Sequence, residues 1–117
     1  MNEEILYTVK EVCDRYGITR KTLFYYDKTG LVKPSKRIGT QQHKVYDREA
    51  LNRLEQVLTY RSAGLNVEET RTMLAPVEKD ATLKLLEKVR IRLLKEKGEK
   101  EQEIENIEKL IEEWKEV

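Results

Sequence analysis

Eight of the ten charged residues between Thr19 and Arg48 are basic: Arg20, Lys21, Lys28, Lys33, Lys36, Arg37, Lys44 and Arg48, against Asp27 and Asp47. A segment this basic in an otherwise balanced chain suits a polyanion, because each Lys or Arg that neutralises a phosphate releases condensed counterions. Catalytic chemistry finds no comparable foothold. No nucleophile is paired with a base, and five scattered glycines form no phosphate-cradling loop. His43 stands alone and reads as a phosphate neighbour rather than a ligand or base. Cys13 is the single cysteine, so it builds neither a disulfide nor a zinc site, and beside Val12 it reads as a small hydrophobe. The expectation is a binding module without catalytic residues, metal or cofactor.

The elements that must position these residues belong to one small, mainly helical chain. It has 117 residues, 38% hydrophobic and 38% charged, and that much charge has to sit on exposed helix faces. No run of 18 apolar residues exists to span a bilayer, and the acidic start MNEEILYTVKEV lacks the pattern of a secretory signal; the expected setting is the cytoplasm, with no membrane partner.

Thr8 and Glu11 form a capping box that predicts a helix running to Tyr16 and stopping at Gly17. Thr19 caps a second helix, RKTLFYYDKT, ended by Gly30. This second helix presents Arg20, Lys21, Thr22 and Tyr25 near its amino end, where side chains reach base edges and backbone amides meet phosphates. Tyr25 and Tyr26 are adjacent, so one ring should pack with Leu23 and the other reach outward to phosphate. Leu31–Lys33 and Lys44–Tyr46 have strand character on either side of PSKRIGTQQH, which predicts a basic β-hairpin. Asp47 then caps a helix carrying Leu51, Leu54, Val57, Leu58 and Tyr60, and Asn66 with Glu69 caps a short one ending at Leu74. Two helices joined by a short turn and followed by a basic hairpin make a winged helix-turn-helix.

From Asp80 the pattern becomes a heptad. Leu83, Ile104 and Ile111 at one core position, with Leu86, Leu93, Ile107 and Trp114 at the other, fill seven of ten sites; Arg90, Lys97 and Lys100 interrupt the centre. One helix from Asp80 to Val117 would be about 57 Å long, too long for so small a module to cover. Leu83 to Lys97 carries a net +4 and Gly98 to Val117 a net −5. An antiparallel pair sets basic half against acidic half, which predicts an antiparallel homodimeric coiled coil; a hairpin within one chain, turning at Gly98, uses the same complementarity.

YTVKEVCDRYGITRKTLFYYDKTGLVKPSKR and KVYDREALNRLEQVLTYRSAGLNVEETRTML together resemble the DNA-binding domain of the MerR family of bacterial transcription regulators. The likeness spans Tyr7 to Leu74, and its specific part is T-L-x-Y-Y-D-x-x-G-L-V-x-P-x-x-R from Thr22 to Arg37, with Tyr46 closing the wing. It implies a winged helix-turn-helix domain over residues 1–76 and a dimerisation helix over 77–117, without a large effector domain. By position, Thr19, Arg20, Lys21, Thr22, Tyr25 and Tyr26 belong to the recognition helix, and Lys33, Lys36, Arg37, His43, Lys44 and Tyr46 to the wing. The implied partners are double-stranded DNA with an inverted repeat, a second copy of the chain, and RNA polymerase at a promoter that is bent and untwisted to activate or repress transcription. The alternative is an architectural, excisionase-like DNA-binding adaptor with no direct transcriptional role. Three departures from the family pattern stand out: Phe24 where an arginine is usual, Lys44 for the wing arginine, and Gln42-His43 for a Gly-aromatic pair. Thr70 also occupies a normally apolar site.

Overall fold

The computed structural model describes residues 4–76 and 78–117; Val77, the first residue of the expected dimerisation segment, lies outside them. The chain divides into a compact unit ending at Ala75 and a second beginning at Pro76.

The first unit runs β1 (Tyr7–Thr8), α1 (Val9–Tyr16), α2 (Arg20–Lys28), β2 (Lys36–Ile38), β3 (His43–Tyr46), α3 (Arg48–Ser62) and α4 (Val67–Leu74). The caps lie where side-chain chemistry requires them. Thr8 and Glu11 make a reciprocal box at α1, as Asn66 and Glu69 do at α4, while Thr19 caps α2 and Asp47 caps α3 through single side-chain bonds. Gly17 takes the left-handed backbone (φ 65°) that turns the chain from α1 into α2. Val12, Leu23, Tyr26, Leu31, Val32, Tyr46, Leu51, Leu54 and Val57 form one buried cluster. Tyr26 packs inward beside Leu23 and Tyr25 faces out, as adjacent helical positions require.

The strand expected at Leu31–Lys33 is not one. Gly30 (φ 75°) ends α2, and the Leu31 and Val32 amides both donate to the Tyr26 carbonyl, which folds this segment back under the helix and buries both side chains. The wing strand begins only after Pro34, at Lys36. β3 is the central strand of a three-stranded antiparallel sheet, with β1 on one side and β2 on the other. The register pairs Lys36 with Val45, Arg37 with Lys44 and Ile38 with His43. At the hairpin tip Gln42 adopts a left-handed backbone (φ 55°), the conformation for which glycine is suited, and its side-chain amide donates to the Gly39 carbonyl at 3.3 Å.

The second unit is α5 (Lys79–Lys115), 37 residues in one helix about 55 Å long. Gly98 lies inside it with no left-handed turn, so the chain does not reverse there. Local ion pairs support the exposed helix, among them Arg90 with Glu87 and Lys100 with Glu103, both at 3.0 Å. Along α5, Leu83, Leu86, Leu93, Ile104, Ile107, Ile111 and Trp114 all remain exposed, Trp114 to 71%.

Candidate nucleic-acid interface

The outer face of α2 carries Arg20, Lys21, Phe24, Tyr25 and Lys28, all exposed. Thr19 and Thr22 serve the start of this helix: the Thr19 hydroxyl oxygen accepts from the Thr22 amide at 3.1 Å and its O–H donates to Thr22 Oγ1 at 3.0 Å. Tyr25 is 48% exposed and leans on Tyr26, their centroids 6.2 Å apart. Arg61 sits at the edge of this surface with Lys21, Tyr25 and Lys28, while its guanidinium donates to the Leu65 carbonyl at 2.9 Å.

Two expected contact residues belong to the core instead. Tyr46 is fully buried and Tyr26 nearly so, because the space between α2, the sheet and α3 is filled by large rings as well as leucines. Burial, with Asp27 nearby, pushes the Tyr46 hydroxyl up to about 12, so it stays a neutral core group. A motif position does not reveal whether a tyrosine lies on the face that folds inward.

On the wing, Lys33 and His43 are exposed. Lys36 lies 2.8 Å from Glu4, both half exposed. Pairs of this kind contribute at most about 1 kcal/mol, so exchanging Glu4 for a phosphate costs little.

Arg37 and Lys44 are opposite each other in register, two like charges that would repel across the strands. Asp27 of α2 relieves this: its carboxylate lies 3.1 Å from Arg37 Nη2 and 2.8 Å from Lys44 Nζ. Burial pushes the Asp27 carboxyl up, but the hydrogen bonds and charges of Lys44 and Arg37 outweigh it and hold the group below its ordinary value. The recognition helix and the wing are thus clasped through one buried acid. Lys44 has a second partner, since its ammonium lies 4.1 Å from the centroid of the Phe24 ring. Two of the departures noted in the sequence, Phe24 and Lys44, therefore face each other in space. Sequence reasoning missed Asp27; the available signal was its being one of only two acids in the basic block, the other being a helix cap.

Further polar bonds fix the frame behind this surface. Arg53 donates to the Leu31 carbonyl at 2.7 Å, Arg71 to the Thr29 carbonyl at 2.8 Å, and the Ser35 hydroxyl accepts from the Asp47 amide at 2.8 Å. These hold the end of α2 and the root of the wing against α3 and α4. The result is a rigid scaffold presenting cations and aromatic rings from one helix and one hairpin, an arrangement able to grip phosphates while side chains on α2 meet base edges.

Residues 7–76 match the family model for MerR helix-turn-helix regulatory proteins. The transcriptional activator TipA of Streptomyces coelicolor is 38% identical over 68 residues, which make up 58% of this chain and 26% of TipA; the chain spans about a quarter of the length of that relative. Among solved structures, a MerR family transcriptional regulator from Bacillus cereus superposes with a TM-score of 0.80 at 22% identity, covering 90% of this chain and 79% of the other. The regulator HiNmlR, a MerR family member lacking the sensor domain and bound to promoter DNA, superposes with a TM-score of 0.56 at 19% identity over 86% of this chain and 80% of its own. With the family model covering more than half its length, and the capped helix pair, wing and long helix all in place, the chain belongs to the MerR family of helix-turn-helix regulatory proteins.

Proposed function

We propose that this chain is a sequence-specific DNA-binding transcription regulator that binds an inverted-repeat promoter site as a homodimer. The observation that carries this reading is the exposed row of Arg20, Lys21 and Tyr25 on α2, standing beside a wing whose cations project from the same scaffold. In this reading Arg20, Lys21, Thr22 and Tyr25 approach the major groove, with Thr19 at the helix start. Lys33, Lys36 and His43 grip flanking phosphates, and Arg37 and Lys44 hold the wing in place while contributing positive charge. The HiNmlR structure with promoter DNA supports the choice of duplex DNA as partner.

The second copy is supported by α5. Leu83, Leu86, Leu93, Ile104, Ile107, Ile111 and Trp114 are exposed along it, and its basic and acidic halves complement each other only when two helices run antiparallel. Two recognition helices on one duplex then reach successive major grooves. Bending and untwisting the DNA between them costs several kcal/mol, which the phosphate contacts of both wings offset. RNA polymerase at the promoter is the partner that such a deformation serves, to activate or repress transcription. The domain division of this reading is residues 1–76 for DNA and 77–117 for dimerisation. The regulator acts in the cytoplasm, has no enzymatic activity and needs no cofactor to bind its site.

The test is selection of bound sequences from a random duplex library at moderate salt, with the molar mass of the complex measured on the same material. An inverted repeat carrying two chains is the expected result. Binding that is indifferent to sequence would overturn the regulator reading in favour of an architectural adaptor.

A further inference from the structure

We propose that Phe24 reads the 5-methyl group of a thymine in each half-site, an inference that rests on the DNA-binding reading above. Every other exposed side chain on the outer face of α2 from Arg20 to Lys28 brings a charge or a hydroxyl; Phe24 brings neither, yet its ring is 39% exposed in the middle of that row. It forms the ridge between two shallow grooves, one shared with Arg20, Ile38 and Lys44, the other with Lys21, Tyr25 and Arg61. In the reading above the phosphates are taken by Lys33, Lys36 and His43, while Arg20, Lys21 and Tyr25 beside the ring on α2 approach the major groove, so what meets the ring is a base edge. The apolar group that B-DNA displays in its major groove is the thymine methyl, and a phenyl ring is among the side chains that match it.

The ring is also held ready. The Lys44 ammonium lies 4.1 Å from its centroid and is itself fixed by Asp27 at 2.8 Å, so Lys44 braces Phe24 rather than reaching for a phosphate. Arg20 lies one helical turn before Phe24 on the same side of α2, which places the thymine beside whatever base Arg20 contacts. Phenylalanine where an arginine is usual therefore puts an apolar ring, braced by Lys44, at a position beside Arg20 on α2.

The experiment takes the site selected by the wild-type protein and replaces its thymines one at a time with deoxyuridine, which removes the methyl and keeps every hydrogen-bonding group. One symmetry-related thymine is expected to lose about fourfold in affinity per half-site, the value of one buried methyl-sized group. The same replacement should have no effect on Phe24→Ala, and Phe24→Leu should retain part of the loss; the leucine variant also serves if the alanine variant fails to fold. A wild-type protein that selects an inverted repeat but shows a flat uracil scan would overturn this proposal and leave the regulator reading standing. A uniform loss across all duplexes in Phe24→Ala would overturn it too, placing the ring against sugars. If no sequence is selected at all, the regulator reading falls and this one with it.

Discussion

Lys44 Nζ lies 2.8 Å from Asp27 Oδ2, and this ion pair joins the middle strand of the wing to the last turn of the recognition helix. Without it, Lys44 and its cross-strand neighbour Arg37 would face each other with nothing between. With it, any force on the wing is passed to α2 through a nearly buried carboxylate rather than through the loop alone. In the proposed reading, the wing that grips phosphate and the helix that meets bases are thereby tied by side chains as well as by the loop between them.

Replacing this carboxylate tests the clasp. Asp27→Asn should destabilise the protein by about 1–3 kcal/mol at neutral pH, the range for a buried hydrogen bond to charged partners. Asp27 is held below its ordinary value of 3.8, so its contribution is complete above that value and disappears as pH falls through its lower folded value. Urea midpoints followed into acid should therefore show the wild type converging on the variant only below about pH 4. A gap that stays constant through the acid range would mean that the charge of Asp27 is not what holds the wing.

The two halves of the interface should fail differently. Lys33→Ala removes an exposed wing cation and should weaken binding to all duplexes alike, lowering the salt slope by roughly 0.9 for each phosphate it no longer neutralises. Arg20→Ala should change which sequence is preferred. Titrations at several salt concentrations, together with repeated site selection, separate these outcomes; equal effects on affinity and selectivity in both variants would contradict the division of labour.

Ile107 lies midway along the acidic half of α5, more than half exposed in the single chain. Placing a carboxylate there buries an unpaired charge at each copy's interface. Ile107→Asp should raise the dimer dissociation constant by at least about tenfold in sedimentation equilibrium. An unchanged association state would rule out this stripe as the dimer contact.

Thr70 on α4 is completely buried, and its hydroxyl has no hydrogen-bond partner. A hydroxyl stranded away from water costs about 1–3 kcal/mol, whereas a methyl of the same size belongs there. Thr70→Val should raise the melting temperature with no change in DNA affinity. A lower melting temperature would show that the hydroxyl is satisfied in solution.

What the sequence determined by itself is what local chemistry controls. The caps at Thr8, Thr19, Asp47 and Asn66, the turn at Gly17 and the end of α2 at Gly30 follow from hydrogen-bond donors and backbone freedom within a few residues, and all appear in the fold at those positions. The motif from Thr22 to Arg37 identified the family for the same reason, since an ordered run of residue types is a local property.

Tertiary structure decided what depends on which face turns inward and on what residues distant in the chain come to share. Leu31 and Val32 have strand-forming character, but the core beneath α2 claims their side chains, and burial outweighs β-propensity. Tyr46 and Tyr26 offer hydroxyls that suit phosphate, yet packing places them inside. Asp27, Arg37 and Lys44 meet only because the hairpin folds back on the helix, 10 residues separating Asp27 from Arg37. Phe24 against Lys44 is the same lesson at the interface: two substitutions that each look like a loss along the chain make one braced surface in three dimensions, because cation and ring need only proximity.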